Sequence, residues 1–135
     1  MENQWILIQV SEDTFSHMAD DLKYIGQTSF RGSTSYAIPE EFSNLIIYSS
    51  FNNNTLFPIF HARAKRVFLK NKSEYICIFE LVSKVVRLNE VFAKDNLPYN
   101  SGVRINFSDE IQETQIGKLW VEIQKSPELT NWNIN

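Results

Sequence analysis

His17 and His61 are the chain's two imidazoles and Cys77 its one thiol, so acid–base or nucleophilic chemistry would have to use these groups or paired carboxylates. A nucleophile needs an activating base beside it, and neither histidine sits in a recognisable nucleophile motif. Cys77 lies inside an apolar run, where a free thiol behaves as a small inert core residue. His17 falls on the polar side of a helical segment and reads as solvated. The carboxylate pairs Asp20-Asp21, Glu40-Glu41 and Asp109-Glu110 stand at helix or loop edges, where capping and solubility explain them better than proton transfer. One cysteine supplies neither an internal disulfide nor a multi-thiolate zinc site, and no glycine-rich phosphate loop or dinucleotide fingerprint occurs. The expectation is a protein that is not an enzyme, with no catalytic residue, no metal and no cofactor.

Recognition chemistry is better represented. His61, Arg63 and Lys65 alternate along one stretch and are followed by Arg66, Lys70 and Lys72. Strand alternation puts the first three on one sheet face, where they would track a nucleic-acid backbone or simply solvate an edge strand. A hydroxyl-rich stretch around Phe30, Arg31, Ser33, Thr34, Ser35 and Tyr36 can stack an aromatic on a base and donate to its edge, or serve as a plain connection. Trp5 and Tyr48, in two apolar segments, are walls of a pocket or core aromatics. Arg104 adds a cation on a further strand.

The elements that must position these groups follow from periodicity. Trp5 to Val10 is short and apolar, as a central strand is. From Ser11 to Ile25 the period changes: Phe15, Met18, Leu22 and Ile25 share a helical face, Ser11 or Asp13 caps the start and Gly26 ends it. Gln27 to Ser43 reads as a long surface loop. Asn44 to Ser50 is a second buried strand, and Asn52-Asn53-Asn54 a tight turn into a strand over Leu56 to Leu69. Glu74 to Leu88 is a long strand buried on both faces or bent mid-way. Asn89 to Lys94 reads as a short capped helix, Ser101-Gly102 as a turn, and Val103 to Phe107 as a strand. Asp109 to Gln124 is the last helix, with Ile116, Leu119, Trp120 and Ile123 as its apolar stripe.

At 135 residues the chain amounts to about one domain, and 18 aromatics within a 43% apolar composition are enough for a real core. A single domain over 1–127 with a tail over 128–135 is expected. The formal charge of −3 excludes a generally basic nucleic-acid binder, so any such binding needs a local patch. No apolar run approaches a membrane span, and the acidic start lacks a signal peptide's basic leader, which points to a cytoplasmic protein without a membrane partner.

The order of a Trp-bearing strand, helix, variable segment, Ile-Tyr-Ser strand, long hairpin and closing helix resembles the EVE branch of the PUA-like superfamily, related to YTH domains. Trp5-Ile6-Leu7, Leu45 to Ser50, Pro58 to Phe68, Glu74 to Phe92 and Ser101 to Ile105 carry the likeness, which spans most of the chain. Phe30 and Pro58 stand where the family often has Trp and Gly. The resemblance implies a small barrel flanked by helices and a modified nucleobase held in an aromatic pocket, with Trp5 and Tyr48 at that pocket and Ser49 as a polar contact. Together these readings give an α+β domain with a strongly curved, mainly antiparallel sheet or small PUA-like barrel flanked by helices. Its expected role is non-catalytic binding of DNA or RNA through Trp5, Phe30, Arg31, Ser33, Tyr48, Ser49, His61, Arg63, Lys65 and Arg104. The alternative is a protein-interaction module or subunit that uses a sheet edge or the tail around Trp132.

Overall fold

The computed structural model describes residues 5–35, 38–49, 57–97, 104–107 and 110–130. The expected turns at Asn52-Asn53-Asn54 and Ser101-Gly102, and the tail around Trp132, lie outside the described residues, as do the side chains of Arg104 and Ile116. In chain order the elements are β1 (Trp5–Gln9), α1 (Glu12–Tyr24), β2 (Thr28–Ser33), β3 (Asn44–Tyr48), β4 (Phe57–Leu69), β5 (Glu74–Leu81), β6 (Val86–Leu88), α2 (Glu90–Asn96), β7 (Arg104–Phe107) and α3 (Glu110–Lys125). The strands form one strongly curled mixed sheet, a half-barrel in the order β2-β5-β4-β3-β1-β7, with β6 pairing the start of β4. All neighbours are antiparallel except β1 with β3, which α1 and β2 connect.

Both faces of the sheet are covered, which is why β1 and β3 read as unbroken apolar runs rather than alternating ones. On the inner face Ile6, Ile8, Leu45, Ile47, Phe60, Tyr75 and Phe79 pack with Phe15, Met18, Ala19 and Leu22 of α1. On the outer face Leu7, Ile46, Tyr48, Phe57 and Ile59 pack with Ala93 of α2 and with Leu119 and Ile123 of α3. Helix α1 starts where its chemistry dictates: Ser11 Oγ accepts from the Thr14 N–H at 3.2 Å, and Gly26, at φ 94°, follows its end.

Several features depart from the periodicity, and the Glu74 to Leu88 run takes the bent one of its two expected forms. The stretch read as a loop contains β2, paired from Thr28 to Ser33 with Phe79 to Glu74 of β5. Its composition hides it: Phe30 is the one large apolar residue of β2, and the strand is ordered by its partner. Lys65 is a bulge between Ala64 and Arg66, so Val67 rather than Arg66 turns inward after it. The long Glu74 to Leu88 run bends, because the Val82 and Ser83 N–H groups both donate to the His61 carbonyl, at 2.8 and 3.1 Å. Trp120, expected in the core, is 44% exposed, since Leu119 and Ile123 take the buried face of α3 and residue 120 lies about a quarter-turn round.

The chain also stays with the fold beyond Pro127. Arg87 N–H donates to the Pro127 carbonyl at 3.3 Å, Leu129 N–H to the Val85 carbonyl at 2.9 Å, and Leu129 packs on the inner core. Among the described residues no helix is long and apolar enough to cross a membrane.

Candidate functional site

The curled sheet leaves a seam between edge strand β2 and the end of β1, and α1 runs along it. A cleft of about 380 Å³ lies there, lined by Ile8 and Gln9 from β1, Val10 just after it, Thr14 and Met18 from α1, and Ser29 to Ser33 of β2. Thus Phe30, Arg31 and Ser33 come together. Phe30 is half-buried, edge-on to Tyr75 with ring centroids 6.1 Å apart and tilted against Phe79 at 5.8 Å, so the core fixes its ring. Arg31 is exposed and, among the described residues, is the one cation lining the cleft. Ser33 Oγ accepts from the Ser35 N–H at 3.1 Å, which leaves its own proton to donate. Thr34, by contrast, is tied to the next hairpin through its N–H to Ser73 O at 3.0 Å and its hydroxyl to Lys72 O at 2.8 Å.

Gly32 makes this wall possible. It faces Tyr75 across the β2–β5 pair, and a Cβ at residue 32 would clash with the Tyr75 Cζ and Oη. Among the described residues the lining offers no imidazole, thiol or carboxylate, so its chemistry is stacking, apolar contact and hydrogen bonding.

The other singled-out residues lie elsewhere. Trp5, His61 and Arg63 are on the outer face, away from the seam. His61 is 4% exposed, so it is not a surface cation: burial first, then the Arg63 charge, pulls its imidazole from 6.5 down to about 4. Trp5 stacks on it, centroids 4.8 Å apart and planes 25° from parallel. Arg63 is half-buried, and Lys65 stands 3.9 Å from Glu80 in an exposed ion pair. The alternating row therefore shares a face but does not present three solvated cations. Tyr48 and Ser49 are buried, and burial raises the Tyr48 phenol well above its ordinary value. Neither Trp5 nor Tyr48 lines the seam cleft. Arg104 is placed by its backbone opposite Ile8.

Cys77 is fully buried in the inner core, and burial pushes its thiol up to about 12. His17 is exposed, its Nδ1 2.9 Å from the Asp13 carbonyl. Among the described residues no group of three metal-ligating side chains gathers. Periodicity missed Thr14 and Met18, which belong to the cleft as well as to α1, and Asn44, whose Oδ1 lies 2.9 Å from His61 Nε2. A polar residue heading an apolar strand was the available signal for Asn44. Comparison with models of known families, with curated proteins and with solved structures found no match.

Proposed function

We propose that this chain is a non-catalytic nucleic-acid-binding domain whose seam cleft takes one unstacked base of a single strand, in its finer form a modified base. The observation that carries the reading is the cleft itself, which joins an aromatic edge, an exposed guanidinium and a free hydroxyl around an apolar floor. Unpaired bases are held by such sets, through stacking on aromatic or guanidinium planes and hydrogen bonds to the base edge. Its size falls in the range of about 300–1,000 Å³ usual for small-ligand sites. Arg31 is the group for a flanking phosphate or a base edge, and Ser33 the donor. The resemblance to EVE-type PUA-like domains, in the order of elements, supports base recognition as such; the pocket it implies, at Trp5 and Tyr48, is not the seam cleft.

The test is binding of labelled single- and double-stranded DNA and RNA, plain and base-modified, by the wild type, Arg31→Glu and Lys65→Glu. Salt-sensitive single-strand binding that Arg31→Glu abolishes and Lys65→Glu leaves nearly intact is the expected result. No binding at low salt, or equal loss in both variants, overturns it. A second reading, a protein partner adding a strand, is favoured by β2, which pairs with β5 alone among the described residues. It predicts a complex in light scattering with slowed amide exchange over 28–33.

A further inference from the structure

Helices α2 and α3 pack on the outer face over β1, β3 and the first half of β4, and the apolar cluster they form there takes no residue from β2 or β5. Beyond it β2, β5 and the second half of β4 lie side by side, and their register sets two rows across the strands. Arg31, Ile76 and Phe68 form one row, Ser29, Ile78 and Arg66 the other. Alternation places all six on the face opposite Phe30, Cys77 and Val67, which pack on the inner core. Ser29, Arg31, Arg66 and Phe68 are exposed, Phe68 at 38%, and the two isoleucines between them are half-buried.

The charge on this surface is uncompensated. Among the described residues neither Arg31 nor Arg66 has an ion-pair partner. The acids nearby are engaged or set apart: Glu80 stands 3.9 Å from Lys65, Glu41 Oε2 accepts from the Val67 N–H at 3.2 Å, and Glu74 lies at the turn that carries Lys70 and Lys72. The Arg66 guanidinium carbon is 5.1 Å from the centroid of the Phe68 ring, so a cation and an aromatic are already assembled side by side. A half-buried apolar strip between two guanidinium groups complements a polyanion that carries flat rings.

We propose that this open face of β2, β5 and β4 is a second nucleotide subsite, where a base of the bound single strand stacks on Phe68 and Arg66 and the phosphate leading to it meets Arg31. The proposal rests on the reading of the chain as a single-strand binder. Phe30 at the seam and Arg31 are successive residues of one strand and face opposite ways, so a ligand that touches both passes over the side of β2 away from β5 and comes down on this face. Sheet faces with exposed aromatics and guanidinium planes hold unpaired bases by stacking. Arg31 and Phe68 stand two strand spacings apart, about 10 Å, so a ligand that meets both is longer than one base.

The experiment uses the whole chain with ¹³C-methyl isoleucine and a single-stranded oligonucleotide of about eight residues. Ile8 reports the seam, Ile76 and Ile78 report the outer face, and the buried Ile6 and Ile47 show that each variant is folded. Saturable movement of Ile8, Ile76 and Ile78 is expected. Phe68→Ala should weaken binding about five- to a hundredfold while Ile8 still moves at saturation, and Phe68→Tyr, which keeps the ring, should bind as the wild type does. Arg66→Gln should lower the salt slope by about 0.7. If Ile8 moves while Ile76 and Ile78 stay in place, or if Phe68→Ala binds as tightly as the wild type, the outer subsite is overturned and the seam reading stands. If the oligonucleotide moves none of the three, the single-strand reading itself falls and takes this one with it. A poly-glutamate peptide that moves Ile76 and Ile78 as strongly as the oligonucleotide also overturns the subsite, because the face then recognises charge and not bases.

Discussion

His61 shows how one residue, backbone and ring together, can tie a fold together. Its carbonyl takes two N–H groups at the β5–β6 bend, its N–H goes to Ser83, and its ring is held by Asn44 and Trp5. A ring kept neutral in the fold but titrating at its ordinary value in the unfolded chain makes stability depend on pH. With the folded value near 4, below the unfolded 6.5, the unfolded chain binds more protons between those limits. The contribution is complete above pH 6.5, declines as pH falls toward 4, and amounts to about 3.5 kcal/mol in all at roughly 1.4 kcal/mol per pH unit. Denaturant unfolding of wild type and His61→Phe at several pH values in that window checks this; the variant should have the shallower slope. Cys77 gives a second expectation at this scale. Buried fully and with its thiol pushed up to about 12, it should react with a disulfide reagent only as fast as the native protein opens, and promptly once denatured.

Element by element, the decisive constraints are caps, pairings and one missing side chain. Gly32→Ala would drive a methyl into the Tyr75 ring, which is itself fully buried and hemmed in by Phe30, so relief requires β2 to shift from β5. A loss of about 1–3 kcal/mol, the usual scale of overpacking, is expected in chemical denaturation. Ser11→Ala should cost about 1 kcal/mol by leaving the Thr14 N–H uncapped. These cases also separate what was legible in the residues from what was not. Helix α1 could be read because its cap, most of its stripe and its stop are local, encoded between Ser11 and Gly26, although Ile25, assigned to the apolar face, is the exposed C-cap. The bend after Leu81 was foreshadowed by an apolar run too long and too apolar on both sides for one straight strand. Strand β2 was not legible, because Thr28–Ser33 owes its order to β5, more than 40 residues away in sequence at the Ser33–Glu74 pair. The same holds for the bulge at Lys65 and for the burial of His61: alternation assigns a side of the strand, but whether a helix covers that side is decided by α3, whose orientation also leaves Trp120 outward. Phe30, Arg31 and Ser33 could be singled out by type, whereas the cleft needed the closure of β2 toward β1.

On the scale of the whole molecule, the charge balance sets the form that nucleic-acid binding must take. A chain with 13 basic and 16 acidic residues has no general attraction for phosphate, and of the β4 cations His61 is neutral, Arg63 half-buried and Lys65 ion-paired, while Arg66 is exposed beside the Phe68 ring. In the seam reading affinity comes from the cleft, where Arg31 is the cation among the described lining residues. Each phosphate contact to a single strand contributes about 0.7 to the slope of log affinity against log salt. The expected slope is therefore shallow, about 0.7 to 1.4 in magnitude for one or two contacts, where a binder held by six or more contacts would exceed about 4. Arg31→Gln should reduce the slope by about 0.7 and weaken every sequence alike, because a phosphate contact carries no base information. Ser33→Ala should leave the slope unchanged and narrow the difference between bases, since it removes a donor to a base edge. Fluorescence anisotropy from about 20 to 200 mM salt resolves these two signatures. A steep slope indifferent to Arg31 would place the contacts on another face and remove the seam cleft from the binding surface.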